Sequence, residues 1–192
     1  MNLRSGRRGV VALAGVVAAL AGGCGPFADD VDGSLEELDD AVRRASETGE
    51  PFRLAAVTSF GWDRFHVFPP DSTPERINRT LGLEWDQADH SNIGSDNSIN
   101  LLVFVRDGEV ARAFDHQRDR GDLICLSGRV LGRAAVARRD AILRVPRTRR
   151  GRRRQERRLV FLAKPRSRSE ARSIARCVRR LARQRGGDSA ES

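Results

Sequence analysis

The sequence predicts an α+β fold: an antiparallel sheet of about five to seven strands, with two or three helices packed on one side of it, after an N-terminal signal segment. The two clearest strand segments, at residues 99–105 and 109–114, flank Asp107-Gly108, a dipeptide whose tolerance of positive φ suits a tight antiparallel hairpin. Two other segments, beginning at Ser34 and Ser167, place apolar residues at helical spacing behind a capping box. Strands are several and helices few, which is the pattern of helices laid on an antiparallel sheet.

The elements follow in order. Ser34-Leu35-Glu36-Glu37 is a capping box, Leu35, Leu38, Val42 and Ala45 recur on one helical face, and Gly49 supplies a stop, so a helix is expected over 34–48. Residues 52–57 and 63–68 read as strands, the second halted by Pro69-Pro70. Thr73 before Pro74 caps a short helix that Gly82 closes, and a polar loop follows over 86–97. After the central hairpin, residues 123–126, parts of 134–145, and 159–163 read as further strands. Ser167 and Glu170 open the last helix, with Ala171, Ile174, Ala175, Val178, Leu181 and Ala182 as its apolar stripe and arginines on its other faces. One domain is expected over 34–185, with a disordered tail over 186–192.

The first 23 residues have the three zones of a secretory signal: Arg4, Arg7 and Arg8, an apolar run over 10–21, then Gly22-Gly23. Twelve apolar residues reach about 18 Å as a helix, short of the roughly 30 Å hydrocarbon core, so a permanent span is not expected. Leu20-Ala21-Gly22-Gly23-Cys24 resembles the lipobox of bacterial lipoproteins. The resemblance implies acylation of Cys24 and an address on the outer side of the cell membrane or in the cell envelope, with the bilayer as a partner. Residues 24–33 then read as a tether, about 17 Å long if flexible.

Charge is unevenly distributed. Residues 24–120 carry ten arginines against twenty acidic residues, net −10, whereas residues 121–192 carry 21 arginines and Lys164 against six acids, net +16. Mutual neutralisation of the two halves in the fold is the plainest expectation. The densest run, residues 147–158, holds Arg147, Arg149, Arg150, Arg152, Arg153, Arg154, Arg157 and Arg158 against a single glutamate. In an exported protein such a run points to anionic lipid or an envelope polymer and away from nucleic acid; a solvated loop is the alternative.

Cys125 and Cys177 remain after the lipobox cysteine, and outside the cytoplasm such a pair is expected to form a bridge, with two buried free thiols as the alternative. The loop of about 50 residues so closed is worth roughly 4 kcal/mol in the chain-entropy treatment. His66, His90 and His116, each near an aspartate (Asp63, Asp89, Asp115), match no ligand spacing and read as surface histidines. No metal or cofactor is expected, since H-x-x-x-H, C-x-x-C, G-x-S-x-G and phosphate-loop motifs are all missing. Trp62-Asp63, at the start of a strand, reads either as structure or as a recognition element, with the indole as a stacking face and the carboxylate as an anchor.

The run Phe60-Gly61-Trp62-Asp63-Arg64-Phe65-His66-Val67-Phe68-Pro69-Pro70, followed by Leu81-Gly82, Trp85 and the apolar stretch over 99–105, resembles a group of small bacterial envelope lipoproteins with a W-D-x-hydrophobic-x-hydrophobic-F-x-P element. The resemblance covers residues 52–115 and implies a shared fold and location without implying an activity. A weaker likeness, of topology alone, is to the small outer-membrane assembly lipoproteins. The reading is a membrane-anchored binding or structural module that has an envelope protein among its candidate partners; an enzyme acting on envelope material is the alternative.

Overall fold

The structure is a computed structural model and describes residues 33–146 and 158–187. The signal segment, Cys24, all of the tether but its last residue, the arginines from Arg147 to Arg157, and residues 188–192 lie outside the described residues. Among the described residues, four helices and seven strands form an α+β fold. The helices are α1 (Gly33–Thr48), α2 (Pro74–Leu81), α3 (Gly128–Leu131) and α4 (Arg168–Gly187); the strands are β1 (Phe52–Arg53), β2 (Arg64–Phe68), β3 (Ile99–Arg106), β4 (Glu109–Gln117), β5 (Val136–Ala137), β6 (Ile142–Arg144) and β7 (Phe161–Leu162). They divide into two antiparallel sheets, one ordered β4-β3-β2-β5 and a small one ordered β1-β6-β7.

The larger sheet is built around the predicted hairpin. Asp107 and Gly108 both take positive φ, 52° and 87°, as a two-residue primed turn demands. Register runs from Arg106 opposite Glu109 to Ile99 opposite Gln117, and shifts once, where Ala111 is the extra residue on β4. β2 lies along the other side of β3, with Phe65 opposite Phe104 and His66 opposite Val103.

β3 is buried along seven consecutive residues, Ile99 through Val105. Strand residues alternate faces, so a strand buried at every position must be covered on both. On one face Leu102 and Phe104 join Phe65, Val67 and Phe114 beneath the stripe Leu38, Ala41, Val42 and Ala45 of α1. On the other, Leu101, Val103 and Val105 pack with Ile77 and Leu81 of α2 and with Trp85 and Ile93 of the following loop. The expected arrangement, with helices on one side, is therefore corrected: α1 and α2 cover opposite faces. α2 itself forms as its capping residues dictate, with Thr73 Oγ1 accepting from Arg76 N at 3.4 Å, Pro74 in the first turn and Gly82 in the left-handed region.

Three expected boundaries are overturned. Residues 123–126 form a 3-10 turn, Ile124–Leu126, because the Asp122 carboxylate accepts from Ile124 N at 3.1 Å and turns the chain. The strand expected over 52–57 stops at Arg53; Leu54 N donates to Ala141 O at 2.9 Å and Val57 N then turns back onto Leu54 O at 3.1 Å. At the C-terminal end α4 continues through Gly187, past the expected limit at 185.

Candidate functional site

α3 and α4 lie side by side in the basic half of the chain. Cys125, just before α3, is disulfide-bonded to Cys177 in the middle of α4, with their Cα atoms 5.9 Å apart, so the expected bridge is present. The start of α4 is fixed independently. Ser167 Oγ accepts from Glu170 N at 3.1 Å, which is one arm of the expected capping box. Glu170, buried at 5% exposure, accepts from Arg166 N and from Arg133 Nε, the latter at 2.8 Å, so the other arm reaches one residue before the cap and also clamps the loop that leaves α3. Gly128 opens α3 at a place where a Cβ would stand 3.0 Å from the Arg133 carbonyl oxygen, a contact that a larger residue could make only if the backbone after α3 shifted.

Between the two helices is an open cleft of about 390 Å³ lined by Arg129, Val130, Ser173, Arg176, Cys177 and Arg180. Residues 173, 176, 177 and 180 are spaced i, i+3, i+4 and i+7 and so share one face of α4. Arg176 Nη2 donates to Ser173 Oγ at 3.1 Å. Among the described residues no carboxylate lines the cleft, and Arg129, Arg176 and Arg180 make no ion pair. Three arginine side chains, a hydroxyl and a short apolar wall thus line the cleft.

The charges of the two halves do not pair as expected. Among the described residues, the ion pairs made by cations of residues 121–192 stay within that half: Arg133 with Asp140 and Glu170, and Arg139 and Arg166 with Asp140. Asp39, Asp40 and Glu47 are likewise met from their own half, by Arg43, Arg44 and Arg120 and by the ring of His116. The crossing contact, Arg118 to Asp122 at 2.9 Å, runs the other way, from an arginine of the acidic half. Arg129, Arg168, Arg172, Arg176, Arg179 and Arg180 are left exposed without acidic partners among the described residues.

Trp62 and Asp63 each take a structural role, one of the two readings open to them. Trp62 is 1% exposed, stacks edge-on against Phe65 and Phe104, and donates from its indole nitrogen to Thr58 Oγ1 at 2.9 Å. Arg138 covers its ring at 5.5 Å, and the Asp63 carboxylate accepts from Asp107 N at 2.8 Å, which pins the hairpin turn. Trp62 lies in the core, while Asp63 holds the turn from an exposed position.

The expectation of surface histidines holds for His90 alone. His66 and His116 are each 2% exposed. His66 faces the α2 side of the sheet, stacked parallel on Phe68 at 6.1 Å. Desolvation, with a lesser push from Arg64 and against a weak opposing pull from the Ala134 backbone, lowers its pKa to about 4, so the ring is neutral near pH 7. His116, on the α1 side, places Nε2 3.3 Å from Asp39 Oδ1, while Arg120 reaches Asp39 Oδ2 at 3.0 Å. Burial works to raise the Asp39 pKa, but His116 and Arg120 outweigh it and hold the carboxyl below its ordinary value.

Beside this pair, Asn100 and Asp122, both fully buried, meet at 3.3 Å. Neither the arginine cleft nor a second cavity of about 300 Å³ beside α2, between Asp71 and Gly94, includes these groups. Their geometry ties α1 and the chain after β4 to the sheet. Among the described residues no cluster of three or more His, Cys, Asp or Glu side chains is arranged to hold a metal ion, and no helix is long and apolar enough to cross a membrane. Arg158, the described member of the basic run, is half-buried, and its carbonyl accepts from Asp122 N at 2.8 Å. Comparison with protein-family models, curated proteins and solved structures finds no match.

Proposed function

We propose that this chain is an exported lipoprotein, anchored through an acylated Cys24, whose α+β domain is a binding module that meets anionic surface through its basic half. The observation that carries the proposal is the set of arginines on α3 and α4 left facing solvent without acidic partners among the described residues. Buried carboxylates elsewhere in the chain are matched to cations, so the unpaired set is a surplus held at the surface. The disulfide supports the exported location, because such bonds persist outside reducing compartments. A short tether keeps the domain within roughly 17 Å of the bilayer, a distance over which each arginine near an anionic leaflet contributes about 1 kcal/mol at closest approach and less beyond a Debye length.

The test has two parts. Mass measurement of the mature N-terminus is expected to find an acylated cysteine, and Cys24→Ser is expected to move the protein from the membrane fraction to the soluble one. An unmodified chain cleaved elsewhere, or a Cys24→Ser chain that stays membrane-bound after a salt wash, refutes the anchor.

A further inference from the structure

We infer that the cleft between α3 and α4 is a discrete binding site for a phosphate monoester group, with Arg129, Arg176 and Arg180 as its anion ligands. This deepens the proposal above, on which it rests for the source of the ligand, by replacing diffuse surface attraction with one located site.

The cleft differs from the rest of the basic surface in four respects. Its volume, about 390 Å³, lies within the roughly 300–1,000 Å³ of small-molecule sites, so it admits a headgroup rather than a lone point contact. It draws cations from two separate helices, Arg129 from α3 and Arg176 and Arg180 from α4, so that a bound anion is approached from both walls. Those walls are held in place by a covalent bond at Cys177, itself a lining residue, and by the buried Glu170–Arg133 clamp at one end. The cleft is therefore fixed before a ligand arrives, which lowers the entropy cost of binding. Finally, the Ser173 oxygen already accepts from Arg176, which leaves the hydroxyl proton free to donate to a ligand oxygen.

The stoichiometry of charge selects the ligand. A phosphate monoester carries about −1.5 to −2 near pH 7 and presents three terminal oxygens, each a strong acceptor. Guanidinium groups bind such oxygens in pairs of parallel hydrogen bonds, and three of them around one group match a dianion better than the single charge of a diester. Val130 and Cys177 give the cleft an apolar side on which the carbon skeleton of the ester can lie. The chemistry is common to a phosphomonoester lipid headgroup and to a soluble phosphate, and the two are distinguished by the experiment.

The experiment uses the full chain in neutral detergent micelles and isothermal titration. The probes are inorganic phosphate, glycerol 3-phosphate, and micelles doped with phosphatidic acid (a monoester) or phosphatidylglycerol (a diester). Saturable binding of one phosphate group per chain is expected, tighter for the monoester lipid than for the diester. The triple variant Arg129→Ser, Arg176→Ser, Arg180→Ser is expected to weaken it on the order of a hundredfold. The control Arg168→Ser, Arg172→Ser, Arg179→Ser removes the same charge from α4 outside the cleft and is expected to leave it within about threefold. Because all six side chains are exposed, neither variant is expected to unfold, and an intact Cys125–Cys177 bond in each is the check.

Equal affinity for inorganic phosphate and phosphatidic acid assigns the site to a soluble phosphate. A preference for phosphatidic acid over both soluble probes assigns it to a lipid headgroup. Equal losses in the two triple variants overturn the cleft and leave diffuse attraction standing. Absence of binding to every probe overturns the site, and absence of binding to every anionic micelle overturns the contact with anionic surface.

Discussion

Replacing His66 by leucine removes the pH dependence that a buried neutral imidazole confers, and its size follows from the environment of the ring. Folded, His66 titrates at about 4; unfolded, it returns to about 6.5. The folded pKa is the lower, so between these values the unfolded chain binds the proton and the folded chain does not. His66 therefore costs nothing well above pH 6.5 and costs progressively more as pH falls toward 4. Between pH 7.5 and pH 5 the linkage amounts to about 2 kcal/mol, approaching about 3 below pH 4.

Asp39 does not confuse the window. Its pKa is depressed, so the stability it contributes is complete above its unfolded value near 3.8 and is lost only as pH falls through the still lower folded value. The assay is urea denaturation of wild type and His66→Leu at half-unit intervals from pH 7.5 to 4.5, with the difference between them taken at each pH. The variant's relative stability is expected to rise by about 2 kcal/mol by pH 5. Parallel curves for the two proteins across that range would refute the assignment of His66 as buried and neutral.

Reducing the Cys125–Cys177 bond, or replacing both residues with serine, frees a loop with 52 residues of separation and is expected to lower stability by about 4 kcal/mol in denaturation at pH 7. The same variant is expected to lose phosphate affinity, because Cys177 holds one wall of the cleft. Asp122→Ala strands the Asn100 amide and the Arg118 guanidinium in a buried site and is expected to cost about 3–5 kcal/mol by the same measurement. Gly128→Ala forces a methyl group against the Arg133 carbonyl and is expected to destabilise by about 1–3 kcal/mol, with a shift in the thermal midpoint as the readout.

Local chemistry was legible wherever the residues that decide it are adjacent. Thr73-Pro74 with Gly82 bounds α2, and Asp107-Gly108 sets the hairpin, because both features are resolved within a single turn of chain. Residues 123–126 misled for the opposite reason. They are four apolar residues that read as a strand, and what curls them is the carboxylate of Asp122, itself held by Arg118 and Asn100.

The histidines failed at longer range. His66 lies in the unbroken buried run of β2, and a lone polar residue among Phe65, Val67 and Phe68 was a signal for burial that ligand spacing does not address. His116 gave no such signal, since its partner Asp39 stands on α1, outside any local window. The continuous apolar stretch of β3 did carry the information that both faces of the sheet are covered, although it does not say which helices cover them. The arginine cleft was readable only in halves: the basic face of α4 was visible, while Arg129 reaches it through the pairing of Cys125 with Cys177, which spacing alone left open.

That pairing also changes how the chain withstands cutting. The arginine run of residues 147–158, the stretch richest in sites for trypsin-like proteases, lies inside the covalent loop between Cys125 and Cys177. A break there does not release either fragment, because the sulfur bridge and the β6–β7 pairing join the two ends on either side of it. A nicked molecule thus stays one molecule, with α4 still seated against α3, and under oxidising conditions a single scission leaves the arginine cleft assembled.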